Sequence, residues 1–222
     1  MTTPTVESYL EIIYMMAVEG QPVIGARLAE ALHVSRPTVT TTLKRMVREG
    51  LVKTNARKEI QTTAKGQAIA ERLQHRHRIV ERWLTDVLEF DWAKSDAEAH
   101  RLEHAMSDEV AELLNKHLGY PTTCPHGNPI PGNTRGVAPA SSKVFQLSAA
   151  NEGDRVVVTR ISEYAENVAE LLDYLGSRGL TPGAHVTVTE VAPLKEPLTL
   201  KVGARTVSMS REVANFVWVK RE

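Results

Sequence analysis

The sequence predicts a mainly α chain with small β parts: a winged helix-turn-helix, a run of helices, and a C-terminal β-barrel of the SH3 type. Three observations predict it. Apolar residues recur with helical spacing through the first half and break only for one short hairpin pattern. A proline- and glycine-rich stretch follows, and beyond it the pattern changes to short alternating strands. The expected domains are 1–65, 66–120 and 143–222, with 121–142 a linker or an irregular docked segment.

In chain order, Thr5 to Val18 carries Val6, Tyr9, Leu10, Ile12, Ile13, Met16 and Ala17 at helical spacing, and Gly20 is a stop. Val23 to Leu32 is a short helix and His33-Val34 a turn. Ser35 can cap the next helix, with Pro37 in its first turn, and Gly50 ends it. Leu51-Val52-Lys53 and Glu59-Ile60-Gln61 are two short strands around the polar turn Asn55-Ala56-Arg57-Lys58. Helix, turn, helix and hairpin together make the winged form of the motif. Thr63 opens a long helix to about Glu89, Ser95 caps a helix through about Met106, and Ser107 starts another that ends near Gly119. Strands are expected at 154–161, 185–191, 198–202, 205–209 and 215–219, with one helix at 165–176.

The 222 residues suffice for one or two domains, and 42% hydrophobic with 24% charged residues is globular composition. Formal net charge is zero, so the total does not announce a nucleic-acid binder. The distribution does. Residues 22–60 hold eight basic and three acidic side chains, whereas residues 85–115 hold two basic and nine acidic ones. A basic module followed by an acidic one suits phosphate contact in one place and cation binding in another. The one cysteine, Cys124, excludes an intrachain disulfide and fits a reducing cytoplasm. The N-terminus lacks the pattern of a signal peptide, and no apolar run approaches the roughly 20 residues of a membrane span. A cytoplasmic protein with no membrane partner is the expectation.

The helix that starts at Ser35 has the composition of a DNA reader. First-turn residues of such a helix face base edges, while later Lys and Arg reach phosphate. Ser35, Arg36, Pro37, Thr38 and Thr41 are placed for the groove. Lys44, Arg45 and Arg48, with Arg57 and Lys58 on the wing, are placed for phosphates. The hairpin and the basic residues argue against a helix-turn-helix used only for protein contacts.

Two clusters of metal-type ligands follow. His77-x-x-x-Glu81 sets two side chains on one helical face, and His100-x-x-Glu103-His104 sets three on another. A single helical histidine is usually a surface or satisfied core residue. Acids packed unpaired between helices would cost several kcal/mol, and a divalent cation removes that cost. Cys124-Pro125-His126-Gly127 places a thiol and an imidazole two residues apart, able to reach one ion or to serve as buried structure.

The segments VESYLEIIYMM, SRPTVTTTLKRM, HRIVERWLTDVL, EAHRLEHAMSDEV and CPHGNPIPG resemble the diphtheria-toxin-repressor and manganese-transport-regulator family over nearly the whole chain. The resemblance implies that the helices from about Thr63 to Leu118 form a dimerisation and metal-binding domain. In the iron-type branch it implies an ancillary site at His77, Glu81, Asp96, Glu163 and Glu166. The primary-site positions of that branch hold Ser8, His100, Glu103 and His104, without the soft Met and Cys. In the manganese-type branch Glu11 matches, whereas Ser8 stands where an Asp belongs. Some manganese sensors imply a site of Glu81, Cys124, His126 and Glu163, which frees His77 to join Glu11, His100, Glu103 and His104. Both groupings remain open at this point.

The expected function is a metal-dependent repressor, two metal sites per subunit, that shuts metal-uptake genes when metal is replete. Affinity order alone favours copper, nickel and zinc, so selectivity must come from geometry and availability. Carboxylate-rich donors favour Mn(II), with Fe(II) second and an iron-homeostasis repressor as the alternative reading. A dinuclear metal hydrolase is a distant rival, without a recognisable nucleophile or substrate motif. The expected partners are a second copy of the chain and a palindromic operator.

Overall fold

The computed structural model describes residues 3–133, 144–163, 169–192 and 197–222. Glu166, residues 134–142 of the expected linker and residues 165–168 of the expected helix lie outside them. The chain forms two compact units, residues 1–76 and 77–222.

The first unit contains α1 (Pro4–Val18), α2 (Gly25–Ala31), α3 (Arg36–Arg48), β1 (Val52–Thr54), β2 (Ile60–Thr62) and the start of α4 (Ala64–Asp86). Its core is the apolar face of α1, with Val6, Leu10, Ile13 and Met16, together with Leu28, Val39, Met46 and Leu51. Ser35 caps α3 as its sequence predicts: its Oγ accepts from Thr38 N at 3.3 Å, and Pro37 lies in the first turn. β1 and β2 pair antiparallel with Val52 opposite Thr62, and Ile60 N donates to Val23 O at 2.8 Å. Gly66 is needed where α4 begins. A Cβ there would stand 2.0 Å from Leu51 O, which outweighs the roughly 1 kcal/mol that glycine costs in a helix.

The second unit holds the rest of α4, then α5 (Ser95–Glu103) and α6 (Asp108–His117). Val80, Leu84 and Ala99 form a small core, flanked by Trp83, Leu102 and Met106. Three helix ends differ from expectation, one being α5, which stops at Glu103 and not near Met106. α4 stops at Asp86, not near Glu89, because Val87 N and Leu88 N both donate to Trp83 O and Glu89 turns left-handed at φ 51. Ser95 is not a cap. Lys94 holds the cap position, and Ser95 Oγ donates to Trp92 O at 3.0 Å. Ser107 does cap α6, accepting from Val110 N at 3.2 Å.

Beyond residue 143 come β3 (Val144–Gln146), a 3-10 turn (Leu147–Ala149), β4 (Arg155–Ile161), α7 (Ala169–Ser177), β5 (His185–Val191), β6 (Leu198–Val202), β7 (Arg205–Met209), α8 (Arg211–Ala214) and β8 (Val217–Arg221). The strands pair antiparallel in the order β3-β8-β4-β5-β6-β7. Val156, Val158, Val186, Val188, Leu198, Leu200, Val217 and Val219 alternate into one core with Leu172 and Leu175 of α7. The SH3-like sheet domain is thus present. Among the described residues no ladder joins β7 to β3, so the expected barrel is seen as an open pairing order.

Residues 122–130 are a docked loop. Cys124 N donates to Asn128 O at 2.8 Å, and Gly127 N to Cys124 O at 2.9 Å. The loop is stitched to the end of β4: Ile161 N donates to His126 O at 2.8 Å, and Asn128 Nδ2 to Ile161 O at 3.0 Å. β4 slips register against β8 between Val158 and Arg160, and Gly127 lies against that irregularity. A Cβ on Gly127 would stand 2.2 Å from Thr159 O, and its φ is +87. Only glycine suits both demands.

Candidate metal centre

Helical spacing puts His77 and Glu81 on one face of α4, and both are buried. The His77 imidazole lies between two acids of α5. Its Nδ1 is 2.7 Å from Glu103 Oε2 and its Nε2 is 3.1 Å from Asp96 Oδ1. Two carboxylates can accept only if both ring nitrogens carry hydrogen. Burial pulls the His77 pKa down, but hydrogen bonds to Asp96 and Glu103 and the charges of Glu81 and Glu103 outweigh it. The pKa stands well above the ordinary histidine value. Burial pushes Glu103 up, yet hydrogen bonds to His100 and His77 and the charges of those two histidines bring it to about 2. Asp96 is likewise lowered: burial opposes, and its hydrogen bond to His77 prevails. His100 Nδ1 and His104 Nε2 approach Glu103 Oε1 at 3.1 and 3.3 Å.

A second cluster shares Glu81. Its Oε1 is 2.8 Å from His126 Nδ1, while Cys124 is buried beside them. Glu81 Oε2 is buried without a hydrogen-bond partner among the described residues, 3.8 Å from His77 Nε2.

These donors fit a divalent ion. Two ligands each about 2.0–2.3 Å from a metal stand up to about 4.6 Å apart, so groups slightly wider than this need only small side-chain shifts to share an ion. Ligand atoms of His77, His100 and Glu103 lie within 4.8 Å of one another, as do those of Glu81, Cys124 and His126, and those of His77, Glu81 and Asp96. The hydrogen bonds of His77 to acids and the unsatisfied Glu81 oxygen mark places where a cation would replace protons or fill a vacant coordination.

Of the residues singled out in the sequence, His77, Glu81, Asp96, His100, Glu103, Cys124 and His126 converge. His104 touches Glu103 but stands outside these ligand-distance groups. Glu163 is buried and ion-paired with Arg78, whose guanidinium also donates to Pro129 O. Glu11, in the first unit, is buried on α1 and accepts from Gln74 Nε2 at 3.0 Å. Ser8 is partly exposed and donates to Pro4 O. On the DNA-reading side, Ser35, Arg36, Pro37, Thr38, Thr41, Lys44, Arg48, Arg57 and Lys58 are exposed, and Arg45 is half-buried, 3.9 Å from Glu49. Asn55 holds the wing tip: its Oδ1 accepts from Arg57 N and Glu59 N at 2.9 and 3.0 Å.

Sequence reasoning passed over Gln74, Arg78 and Trp92. The first two had a signal, since positions 74, 77, 78 and 81 share one helical face. Trp92 had none, because its contacts are made across loops.

Three family descriptions match in chain order. They are an iron dependent repressor N-terminal DNA binding domain at residues 1–60, the iron dependent repressor metal binding and dimerisation domain at 63–132, and a FeoA domain at 145–221. The iron-dependent repressor IdeR of Mycobacterium leprae is 38% identical, the match covering 98% of this chain and 97% of that protein. The chain belongs to the diphtheria toxin repressor family. The diphtheria toxin repressor of Corynebacterium diphtheriae is 34% identical over 97% of this chain and 96% of its own. Among solved structures, a manganese-dependent transcriptional repressor in complex with manganese superposes with TM-score 0.87 at 28% identity, covering 98% of this chain and all of that one. The manganese regulator SloR gives 0.79 at 28% identity, with both chains fully covered. As a member of this family the chain is a metal-dependent, DNA-binding transcriptional repressor that dimerises, and not an enzyme. No helix among the described residues is long and apolar enough to cross a membrane.

Proposed function

We propose that this repressor answers to Mn(II), with Fe(II) second, and that it shuts metal-uptake genes when metal is replete. The observation that carries the proposal is the buried His77 between Glu103 and Asp96, with His100 on the same carboxylate. Those donors are imidazole nitrogen and carboxylate oxygen, without sulfur, and such sites suit manganese better than a thiolate set does. Manganese-dependent proteins among the structural relatives and iron-dependent ones among the sequence relatives agree with both metals.

Two sites per subunit are proposed. The first takes His77, His100 and Glu103, with His104 adjoining. The second takes Glu81, Cys124 and His126, with Asp96 at its edge through His77 and Glu81. Glu11 is proposed as a ligand because it is a buried carboxylate on α1. Glu163 is proposed as a further ligand, for which a metal would compete with its ion pair to Arg78. Bound metal supplies positive charge that neutralises the buried acids and holds their helices. The chain's own residues do the rest: Ser35, Arg36, Pro37, Thr38 and Thr41 face base edges, and Lys44, Arg45, Arg48, Arg57 and Lys58 take phosphates. A dimer with two such helices reads a palindrome whose half-sites lie about 34–36 Å apart. A cytoplasmic location follows from that role.

Operator binding measured across divalent metals buffered at cellular free concentrations tests the proposal. Mn(II) is expected to raise affinity at the lowest free concentration relative to its cellular level. Activation by Zn(II) alone, or equal affinity with chelator and with Mn(II), rejects it.

A further inference from the structure

His126 and His77 are held differently. Both ring nitrogens of His77 face carboxylates, so either can release its proton to a metal. His126 Nε2 instead lies 3.1 Å from Trp92 O. A carbonyl only accepts, so Nε2 keeps its hydrogen on Trp92 O, and Nδ1, whose hydrogen faces Glu81 Oε1 at 2.8 Å, is the nitrogen that can exchange a proton for a metal. The partner segment is locked in return, because the Trp92 indole N–H donates to Pro125 O at 3.1 Å. The two rings are in tilted contact, 4.6 Å between centroids with 52° between planes. Behind the indole stands Gly176 of α7, where a Cβ would meet the ring at 3.3 Å. The indole therefore has the His126 imidazole and a helix of the SH3-like domain against it.

We propose that Trp92 is a positioning residue that commits His126 to bind metal through Nδ1, on the side of Glu81 and Cys124, and that it ties this choice to the SH3-like domain through Gly176. The inference rests on the metal reading of the Glu81, Cys124 and His126 cluster. A ligating histidine that gives its other N–H to a fixed carbonyl is oriented and made a better donor, and losing such support costs about 10–100-fold in affinity. Trp92 touches no metal in this scheme. It acts through the reciprocal bonds to residues 125 and 126 and through the ring contact.

The test compares the full-length protein with Trp92→Phe, which keeps a ring without the N–H, Trp92→Leu, which removes both, and Gly176→Ala, which crowds the ring while leaving Trp92 in place. Proton NMR of the metal-free proteins reads the His126 Nε2–H. The parent is expected to show this proton protected from exchange, Trp92→Phe to weaken the protection and Trp92→Leu to weaken it most, since the carbonyl at 92 stays but nothing holds it against the ring. Co(II) titration then reads the sulfur-to-metal absorption band from Cys124. Trp92→Leu is expected to need about 10–100-fold more Co(II) for that band, and Gly176→Ala to fall between. Parent-like protection and parent-like Co(II) affinity in Trp92→Leu would overturn the proposal. Trp92→Phe and Gly176→Ala decide it in the same way should Trp92→Leu fail to fold. A parent that never develops the band defeats the metal reading of Cys124, and the Nδ1 commitment with it. The exchange measurement would still show whether Trp92 clamps the ring, so the two failures are distinguishable.

Discussion

Glu103 takes hydrogen bonds or close approaches from His77, His100 and His104, and its pKa of about 2 reflects that company. Replacing it with alanine removes a proposed ligand and leaves three histidines without their shared counter-charge. The expected result is loss of metal-stimulated operator binding with the dimer retained, read by mobility shift and by light scattering. Metal response equal to the parent would mean the cluster is only structural. The same groups predict a pH dependence. His77 has a raised folded pKa, so its contribution to metal-free stability is full below the ordinary histidine value near 6.5 and fades as pH rises through the raised value. Glu103 has a lowered one, so its contribution is full above the ordinary carboxylate value near 4.3 and is lost as pH falls toward about 2. Metal-free stability should therefore be best supported by this pair between those two ordinary values. Metal affinity should climb with pH past neutrality as the ion displaces the His77 proton, with proton release visible by calorimetry in buffers of different ionisation heat. That these helical side chains could converge was legible in the sequence because helical spacing reports which side chains share a face. Their allocation was not, since His77 meets acids on both nitrogens and only the fold of α5 beside α4 shows it.

Helices and strands were largely legible as elements, because caps such as Ser35 and Ser107 and the alternation of β5 and β6 are local signals. The end of α4 and the role of Ser95 were not, since both are decided by where loop amides and Trp92 O find partners. Recognition helix α3 divides by function. Arg48→Ala should weaken binding to all sequences alike and lower the salt slope by about one. Thr41→Ala should change preference at one base-pair position, by up to about 1–3 kcal/mol. A Thr41 variant that loses specific and non-specific binding equally would reverse that assignment. Arg78 of α4 and Glu163, just beyond β4, are both buried and paired. Arg78→Ala should destabilise the protein by about 3–5 kcal/mol, because a buried carboxylate loses its partner. Adding Glu163→Gln should recover part of that in denaturant titrations. A single variant as stable as the parent would show that Glu163 has another counter-charge. On α6, Val110 and Leu113 are 46% and 62% exposed, in the domain that the family uses to dimerise. Leu113→Glu should shift the dimer–monomer equilibrium toward monomer in sedimentation, and an unchanged dimer would place the interface elsewhere.

For the whole molecule, metal and DNA must strengthen each other by the same factor if each binds one state better. Operator DNA should therefore lower the free Mn(II) needed for half-saturation by the ratio by which Mn(II) tightens the operator complex. Unequal factors at equilibrium would reveal a third bound species. The order of DNA-binding, helical and sheet parts was legible from the change of periodicity and the proline-rich break. The depth to which the loop at 122–130 enters the second unit was not. Nothing in CPHGNPIPG states that Ile161 and Asn128 will bond across it, because a loop without periodicity carries no record of its neighbour.

Gly127 turns that docking into a statement about tolerance to mutation. With φ at +87 and Thr159 O within 2.2 Å of any added carbon, the position admits one residue of twenty. In a saturation library, variants here should keep the hydrophobic core of the SH3-like domain, which holds neither this residue nor its loop. They should still fail selection for repression. Such a variant would look healthy by expression and circular dichroism yet behave in the cell as though starved of metal. The sickness would lie in sensing, although the glycine that was replaced offers no side-chain ligand.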